Sequence, residues 1–220
     1  RSVELQTLSL SPPIFRARRL LPEDMLDELR SEAEPAFEPS TVGVGSVRKR
    51  DDRRRSSSAW LHGYQDPTKS LPAARAVQRA VAALLRLSRG QLLHGMEPLL
   101  AVQYAQGGHY EPHHDFFATS SASTTPYEAA YAPPDGSNRF ATVIIYLTDS
   151  DSQDGGHTVF PYAVPSEAPK MLDGLAFAGA PAAPPCDFST LHQRRGLMVQ
   201  PRRGDALLFY NQLPNGTLAG

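Results

Sequence analysis

Cysteine is almost absent: Cys186 is the only one in 220 residues. A lone thiol forms no internal disulfide and builds no zinc site by itself. A strong charge of one sign is missing too. The net charge is -1, so bulk electrostatics point to no nucleic-acid partner. No run approaches the roughly 18 apolar residues of a membrane span, and none is expected in this segment. No signal-peptide pattern opens the chain, but it begins on Arg1 rather than Met, so that lack excludes little. Proline and glycine are plentiful, with 20 and 16 residues, which argues for many turns and loops rather than a helical bundle. A chain of this length makes about one to two domains with a sizeable core.

The chemistry concentrates in His109-Tyr110-Glu111-Pro112-His113-His114-Asp115-Phe116. His113 and Asp115 stand two positions apart, and side chains at i and i+2 of a strand share a face. If residues 110–116 are extended, an imidazole and a carboxylate project into one space. That pair is part of the 2-His-1-carboxylate triad that holds non-haem Fe(II) and leaves positions open. A bare His-x-Asp also arises by chance on solvated surfaces, so its neighbours must decide. His114 alternates to the other face and is not expected to ligate. His109, in a glycine turn, either stands behind the ligands or is merely exposed.

The surrounding pattern is helices first and strands after. Pro22 to about Ala33 reads as a helix, with Leu21, Met25, Leu26 and Leu29 on one face and Glu23 and Asp24 in the first turn. A second helix is expected from Pro72 to Ser88, with Val77, Val81, Leu84 and Leu85 as its stripe and Gly90 at its end. Between them, residues 38–58 carry Arg48-Lys49-Arg50-Asp51-Asp52-Arg53-Arg54-Arg55. The run could bind a polyanion, but its aspartates and flanking Gly and Ser favour a mobile, solvated loop. From Leu99 the period becomes two: Leu100, Val102 and Tyr104 share a face. Further strands are expected at Arg139–Leu147, from Thr158, at Leu197–Val199 and at Asp205–Tyr210. Two long irregular stretches, 118–138 and 163–195, separate them. The expected architecture is α+β, with a sandwich or double-sheet barrel as the β part.

The order of motifs is Tyr104, Gly107-Gly108-x-Tyr110-x-Pro112-His113-x-Asp115, Asn138-Arg139-x-Ala141-Thr142 with Tyr146-Leu147, Gly155-Gly156-x-Thr158-x-Phe160-Pro161, and Gly204-Asp205-Ala206-Leu207-x-Phe209-Tyr210-Asn211. This order resembles the catalytic domain of the prolyl 4-hydroxylases, Fe(II)/2-oxoglutarate-dependent dioxygenases. The resemblance runs from about Ser11 to the last residue. It implies one catalytic domain over 1–220 with a jelly-roll (double-stranded β-helix) core. Residues 1–95 would be helical support with a flexible basic loop. Residues 96–220 would be the core, incomplete at its C-terminal end.

The resemblance also implies roles. His113 and Asp115 would ligate Fe(II), and Tyr104, Tyr146 and Thr158 would line the 2-oxoglutarate pocket. Phenol and hydroxyl groups suit a carboxylate. Arg139 would serve the peptide substrate. The cofactors implied are Fe(II), 2-oxoglutarate, O2 and ascorbate. The third iron ligand, a histidine, and a lysine for 2-oxoglutarate are expected beyond Gly220. His157 should point away from the pocket by alternation, and His192 sits in an insertion, so neither is expected to replace it. Asp205 is expected as a turn residue.

The implied reaction is 4-hydroxylation of peptidyl proline in proline-rich or collagen-like proteins, coupled to decarboxylation of 2-oxoglutarate to succinate and CO2. The loops at 38–58 and 118–138 are candidates to close over a polyproline II substrate. The implied compartment is the secretory pathway, the endoplasmic reticulum or Golgi lumen, with any membrane anchor outside this segment. Two alternatives stay open: a truncated relative that only binds proline-rich peptides, and a hydroxylase of lysyl side chains or a free small molecule.

Overall fold

The computed structural model describes residues 3–42, 50–117, 137–151, 155–165, 175–178 and 196–212. In chain order the strands and helices are β1 (Glu4–Ser11), β2 (Pro13–Arg18), α1 (Glu23–Ala33), β3 (Glu38–Pro39), β4 (Arg54–Arg55), β5 (Ser57–Leu61), α2 (Pro72–Leu84), α3 (Arg89–His94), β6 (Leu99–Gln103), β7 (His109–Tyr110), β8 (Ala141–Ile145), β9 (Thr158–Phe160), β10 (Val164–Pro165), β11 (Leu175–Ala178), β12 (Gly196–Val199) and β13 (Ala206–Tyr210). Two compact units divide them. One combines Arg1–Arg18, Gly43–Lys49 and Glu111–Gly220; the other combines Arg19–Val42 and Arg50–Tyr110.

The first unit holds a five-stranded sheet in the order β10-β1-β2-β13-β8 and a three-stranded sheet in the order β11-β12-β9. All pairs are antiparallel, and β8 meets β13 from Ile145↔Ala206 to Ala141↔Tyr210. Period-two alternation turns one row of each sheet inward. Leu8, Ile14, Ala163, Leu197, Val199 and Leu207 form the buried core, with Ile144, Tyr146, Phe160 and Phe209 packed on it. Phe160 of one sheet meets Phe209 of the other edge-on, centroids 5.1 Å apart. Each buried Leu, Ile or Val contributes roughly 1.5–3 kcal/mol, so this apolar layer holds the two sheets together. The architecture is α+β with a jelly-roll β part, as the strand pattern predicts.

Two expectations change in this unit. Residues 1–95 were expected as helical support, with only short extended pieces at 3–5 and 12–15; these belong to two full strands, β1 and β2, of the five-stranded sheet. The stretch 163–195 was expected to be irregular, but it supplies β10 and β11, and β11 pairs with β12 from Leu175↔Val199 to Ala178↔Gly196. Apart from the core residue Ala163, its remaining residues, with Cys186 and His192, lie outside the described ones, as does 118–136.

In the second unit, α1 and α2 back a sheet in the order β3-β5-β6. Leu26, Leu29 and Ala33 of α1 and Val77, Val81 and Ala82 of α2 are buried, as are Ala59 and Leu61 of β5. Trp60, between those two, faces outward. The second helix stops earlier than expected. Arg86 takes a positive φ of 54°, and Ser88 starts a new helix, α3. The Ser88 hydroxyl accepts from the Gln91 N–H while the Gln91 side chain accepts from the Ser88 N–H. This reciprocal capping makes the expected terminator, Gly90, an interior residue of α3.

The basic run is also more ordered than expected over 50–55, while 43–49 lies outside the described residues. Arg54 and Arg55 pair with Tyr110 and His109 as β4 and β7. The Arg54 guanidinium stands 4.7 Å over the Tyr110 ring and donates to the Thr41 carbonyl. Asp51 accepts from Arg53 through both carboxylate oxygens at 3.0 Å. Arg53 and Arg54 thus have partners within the run and its neighbours.

Candidate active site

Pro112 shapes the loop that follows β7. It has no N–H for a ladder and holds Glu111 extended, so the strand ends after Tyr110. Residues 111–114 are irregular, and Asp115 and Phe116 form a bend. The strand expected to carry His113 and Asp115 is therefore absent, but the convergence it implied is present. His113 Nε2 lies 3.4 Å from Asp115 Oδ1. Two donors on neighbouring vertices of an octahedral ion lie about 3 Å apart.

The imidazole orientation is set from behind. His113 Nδ1 lies 2.7 Å from the Glu111 carbonyl oxygen, and only an N–H can satisfy that acceptor. A proton is then on Nδ1, and Nε2 is the ring nitrogen that faces Asp115. Ligating histidines are commonly held in this way, with the remote nitrogen donating to a carbonyl or carboxylate. His114 stacks on Phe116 with centroids 4.6 Å apart.

Asp115 is held just as firmly. Burial disfavours its charged form, but hydrogen bonds from His113 and Thr142 and the charges of His113 and Arg139 outweigh it. The carboxyl stays below the usual carboxylate range, ionised and fit for a cation. Arg139 Nη1 donates to the Asp115 carbonyl at 3.0 Å, and its guanidinium covers the Phe117 ring at 4.8 Å. Asn138 clamps the next residue, accepting from the Phe117 N–H and donating to the Phe117 carbonyl, both at 2.8 Å. Asn138 and Arg139 thus fasten the downstream end of the loop.

Tyr146 and Thr158 come together from different sheets: the Tyr146 hydroxyl donates to Thr158 Oγ1 at 2.8 Å. Their ring and backbone lie against the apolar core, and burial pushes the Tyr146 phenol up to about 12. Two neighbouring hydroxyls that can turn their protons suit an entering carboxylate oxygen. Near them, Arg16 and Asp205 form a buried ion pair, with Arg16 Nε donating to Asp205 Oδ2 at 2.8 Å. Asp205 is a turn residue as expected, but only 6 % exposed and paired across the sheet.

Tyr104 belongs to the second unit and follows β6, half-exposed. His109 also lies there, half-buried in β7. His157 is half-buried, and desolvation lowers its basicity. Among the described residues no group of three His, Cys, Asp or Glu side chains comes together as a metal cage. The donor chemistry at His113 and Asp115 nonetheless fits a divalent ion: one imidazole nitrogen and one ionised carboxylate, converging with their orientations fixed. Sequence reasoning missed Asn138, Thr142, Asn211 and Arg16. Asn138 and Asn211 stood inside the quoted motifs, while nothing in the sequence pairs Arg16 with Asp205.

Comparison with known proteins adds family and fold. A family model described as "2OG-Fe(II) oxygenase superfamily" matches residues 99–216. "Probable prolyl 4-hydroxylase 3" of Arabidopsis thaliana is 30% identical over 217 residues, 97% of this chain and 63% of that protein. "Probable prolyl 4-hydroxylase 10" of the same plant is 32% identical over 189 residues, 84% of this chain and 53% of that protein. The "Transmembrane prolyl 4-hydroxylase" of Mus musculus is 32% identical over 170 residues, 74% of this chain and 31% of that protein. The chain therefore spans less than two thirds of these relatives. A solved viral collagen prolyl hydroxylase from Paramecium Bursaria Chlorella virus-1, in complex with 2OG, superposes with a TM-score of 0.50 at 16% identity, covering 93% of this chain and 82% of that one. At that identity it speaks for the fold alone.

Proposed function

We propose that this chain, which belongs to the 2OG-Fe(II) oxygenase superfamily, hydroxylates peptidyl proline. The observation that carries the reading is the convergence of His113 Nε2 and Asp115 Oδ1, with the tautomer set by the Glu111 carbonyl. The similarity to proteins named prolyl 4-hydroxylases supports the substrate class.

His113 and Asp115 would hold Fe(II), and a histidine outside the described residues would be the third ligand. Bound Fe(II), 2-oxoglutarate and O2 would supply the oxidation: 2-oxoglutarate leaves as succinate and CO2, with one oxygen atom in succinate and the other in the proline hydroxyl. The protein's own part is orientation. Tyr146 and Thr158 would donate to a carboxylate of 2-oxoglutarate. Arg139, tied to the Asp115 backbone, would set the peptide relative to the ligand pair. Ile144, Phe160 and Phe209, packed on the same core as Tyr146, would limit water beside these hydroxyls. Ascorbate as an auxiliary reductant, a collagen-like or other proline-rich substrate, and a secretory-pathway lumen complete the proposal.

Succinate release from 2-oxoglutarate, measured with Fe(II), ascorbate and a proline-rich peptide, tests it. Activity that needs the peptide and disappears in Asp115→Ala is the expected outcome. Peptide binding without succinate, in this chain and in one extended past Gly220, would reject the enzyme and leave the binding-module reading. Turnover with lysyl peptides or free small molecules alone would reject proline as the substrate.

A further inference from the structure

Behind Asp115 stands a hydrogen-bonded chain that runs through β8 to the end of β13. The Asn211 side-chain amide donates from Nδ2 to Thr142 Oγ1 at 3.0 Å, and Thr142 in turn bonds the Asp115 side chain. The direction of each bond follows from chemistry. An ionised carboxylate only accepts, so the Thr142 hydroxyl must donate to it. That hydroxyl has one proton, so the group facing it from Asn211 must be the donating NH2 and not the carbonyl. Asn211 is itself fixed: it is 5 % exposed, and its backbone N–H donates to the Phe140 carbonyl at 2.9 Å. β8 and β13 set the spacing, since Thr142 pairs with Phe209, two residues before Asn211.

We propose that Asn211 is a positioning residue for the carboxylate of Asp115, acting through Thr142. By occupying the Thr142 oxygen, it commits the Thr142 proton to Asp115 and fixes the rotation of that carboxylate opposite His113. This inference rests on the reading of His113 and Asp115 as metal ligands and assigns a role to two residues that touch neither metal nor substrate. Partners of this kind, one bond behind a ligand, alter metal affinity by about 10–100-fold when removed.

The test measures Co(II) affinity by calorimetry on the full chain, with thermal unfolding of the metal-free protein beside it to confirm folding. Thr142→Val keeps the shape and loses the hydroxyl; Thr142→Ser keeps the hydroxyl. Asn211→Asp keeps the shape and turns the donor into an acceptor that draws the Thr142 proton away from Asp115. Its added negative charge should by itself strengthen cation binding, so a loss points to the redirected hydroxyl. Expected are losses of about tenfold or more in Thr142→Val and Asn211→Asp, none in Thr142→Ser, and no extra loss in the double variant Thr142→Val/Asn211→Asp. Wild-type affinity in Thr142→Val, or losses that multiply in the double variant, overturns the proposal and leaves the metal site standing. A wild-type chain that takes up no Co(II) overturns the proposal and the metal-site reading together. If Asn211→Asp does not fold, the contrast between valine and serine at 142 decides.

Discussion

Arg16 and Asp205 meet across 189 residues of sequence, guanidinium on carboxylate, inside the sheet that carries the site. Both side chains are almost fully buried, so neither charge has water to fall back on. A buried pair of this kind contributes little net stability, but removing one partner is costly. Asp205→Ala should destabilise the protein by about 3–5 kcal/mol in denaturant unfolding. The double change Arg16→Met/Asp205→Leu should recover most of that. An equal loss in the double variant would show that the ion pair is not the reason.

Tyr146 should be the last tyrosine to ionise. Its phenol sits at about 12 in the folded protein, against about 10 unfolded. The folded state therefore holds this proton more tightly. Stability is unaffected below pH 10 and falls as pH rises from 10 through 12, by about 3 kcal/mol for a shift of this size. Unfolding free energies across that range check it, and Tyr146→Phe should flatten the fall. The same variant removes the donor to Thr158 and should cost about 1 kcal/mol at pH 7.

His157 works in the opposite direction. Desolvation lowers its affinity for a proton in the folded state. Its contribution to stability is present above the unfolded value near 6.5 and is lost as pH falls below it. A ring-proton titration by NMR should place it below ordinary histidines. Replacing it with Asn should weaken the acid sensitivity, and an unchanged acid limb would assign that sensitivity to other groups.

In the second unit, a side chain at Gly63 would collide with Gln78. The Gln78 carboxamide occupies the space a Cβ would need, while its Oε1 accepts from the Tyr64 N–H and its Nε2 donates to Gln65 and to the Glu97 carbonyl. Gly63→Ala should cost about 1–3 kcal/mol by breaking these buried bonds. In a Gln78→Ala background the same change should cost much less, because the contested space is open. Equal costs in both backgrounds would point to backbone strain instead.

Much of this was legible in the sequence because period and composition report local burial. The β8 and β13 strands, the first helix and the His113–Asp115 pair followed from alternation and spacing. Ser88 and Gln91, three apart, also carried a readable capping signal, but the apolar stripe running through Leu84 and Leu85 overrode it. Partners distant in the chain were not legible. Arg16 reads as one more charge in a basic stretch until β2 is laid beside β13. Thr142 and Asn211 lie inside recognised motifs, yet their hydrogen bonds depend on strand register, which no single stretch encodes. The loop around Pro112 was misread as strand for a related reason: the i, i+2 convergence it was invoked to explain can also arise in irregular backbone.

The strand order has a consequence for synthesis. β1 and β2 leave the ribosome early, while β13, which lies between β2 and β8, follows by the same 189 residues that separate Arg16 from Asp205. At about 5–20 residues per second, that interval is roughly 10–40 s. For its duration the hairpin is a two-stranded ribbon, marginally stable alone. Its β2 edge is open to any extended segment nearby, and Arg16 waits without its carboxylate. The nascent chain must therefore keep this edge unpaired until β13 arrives.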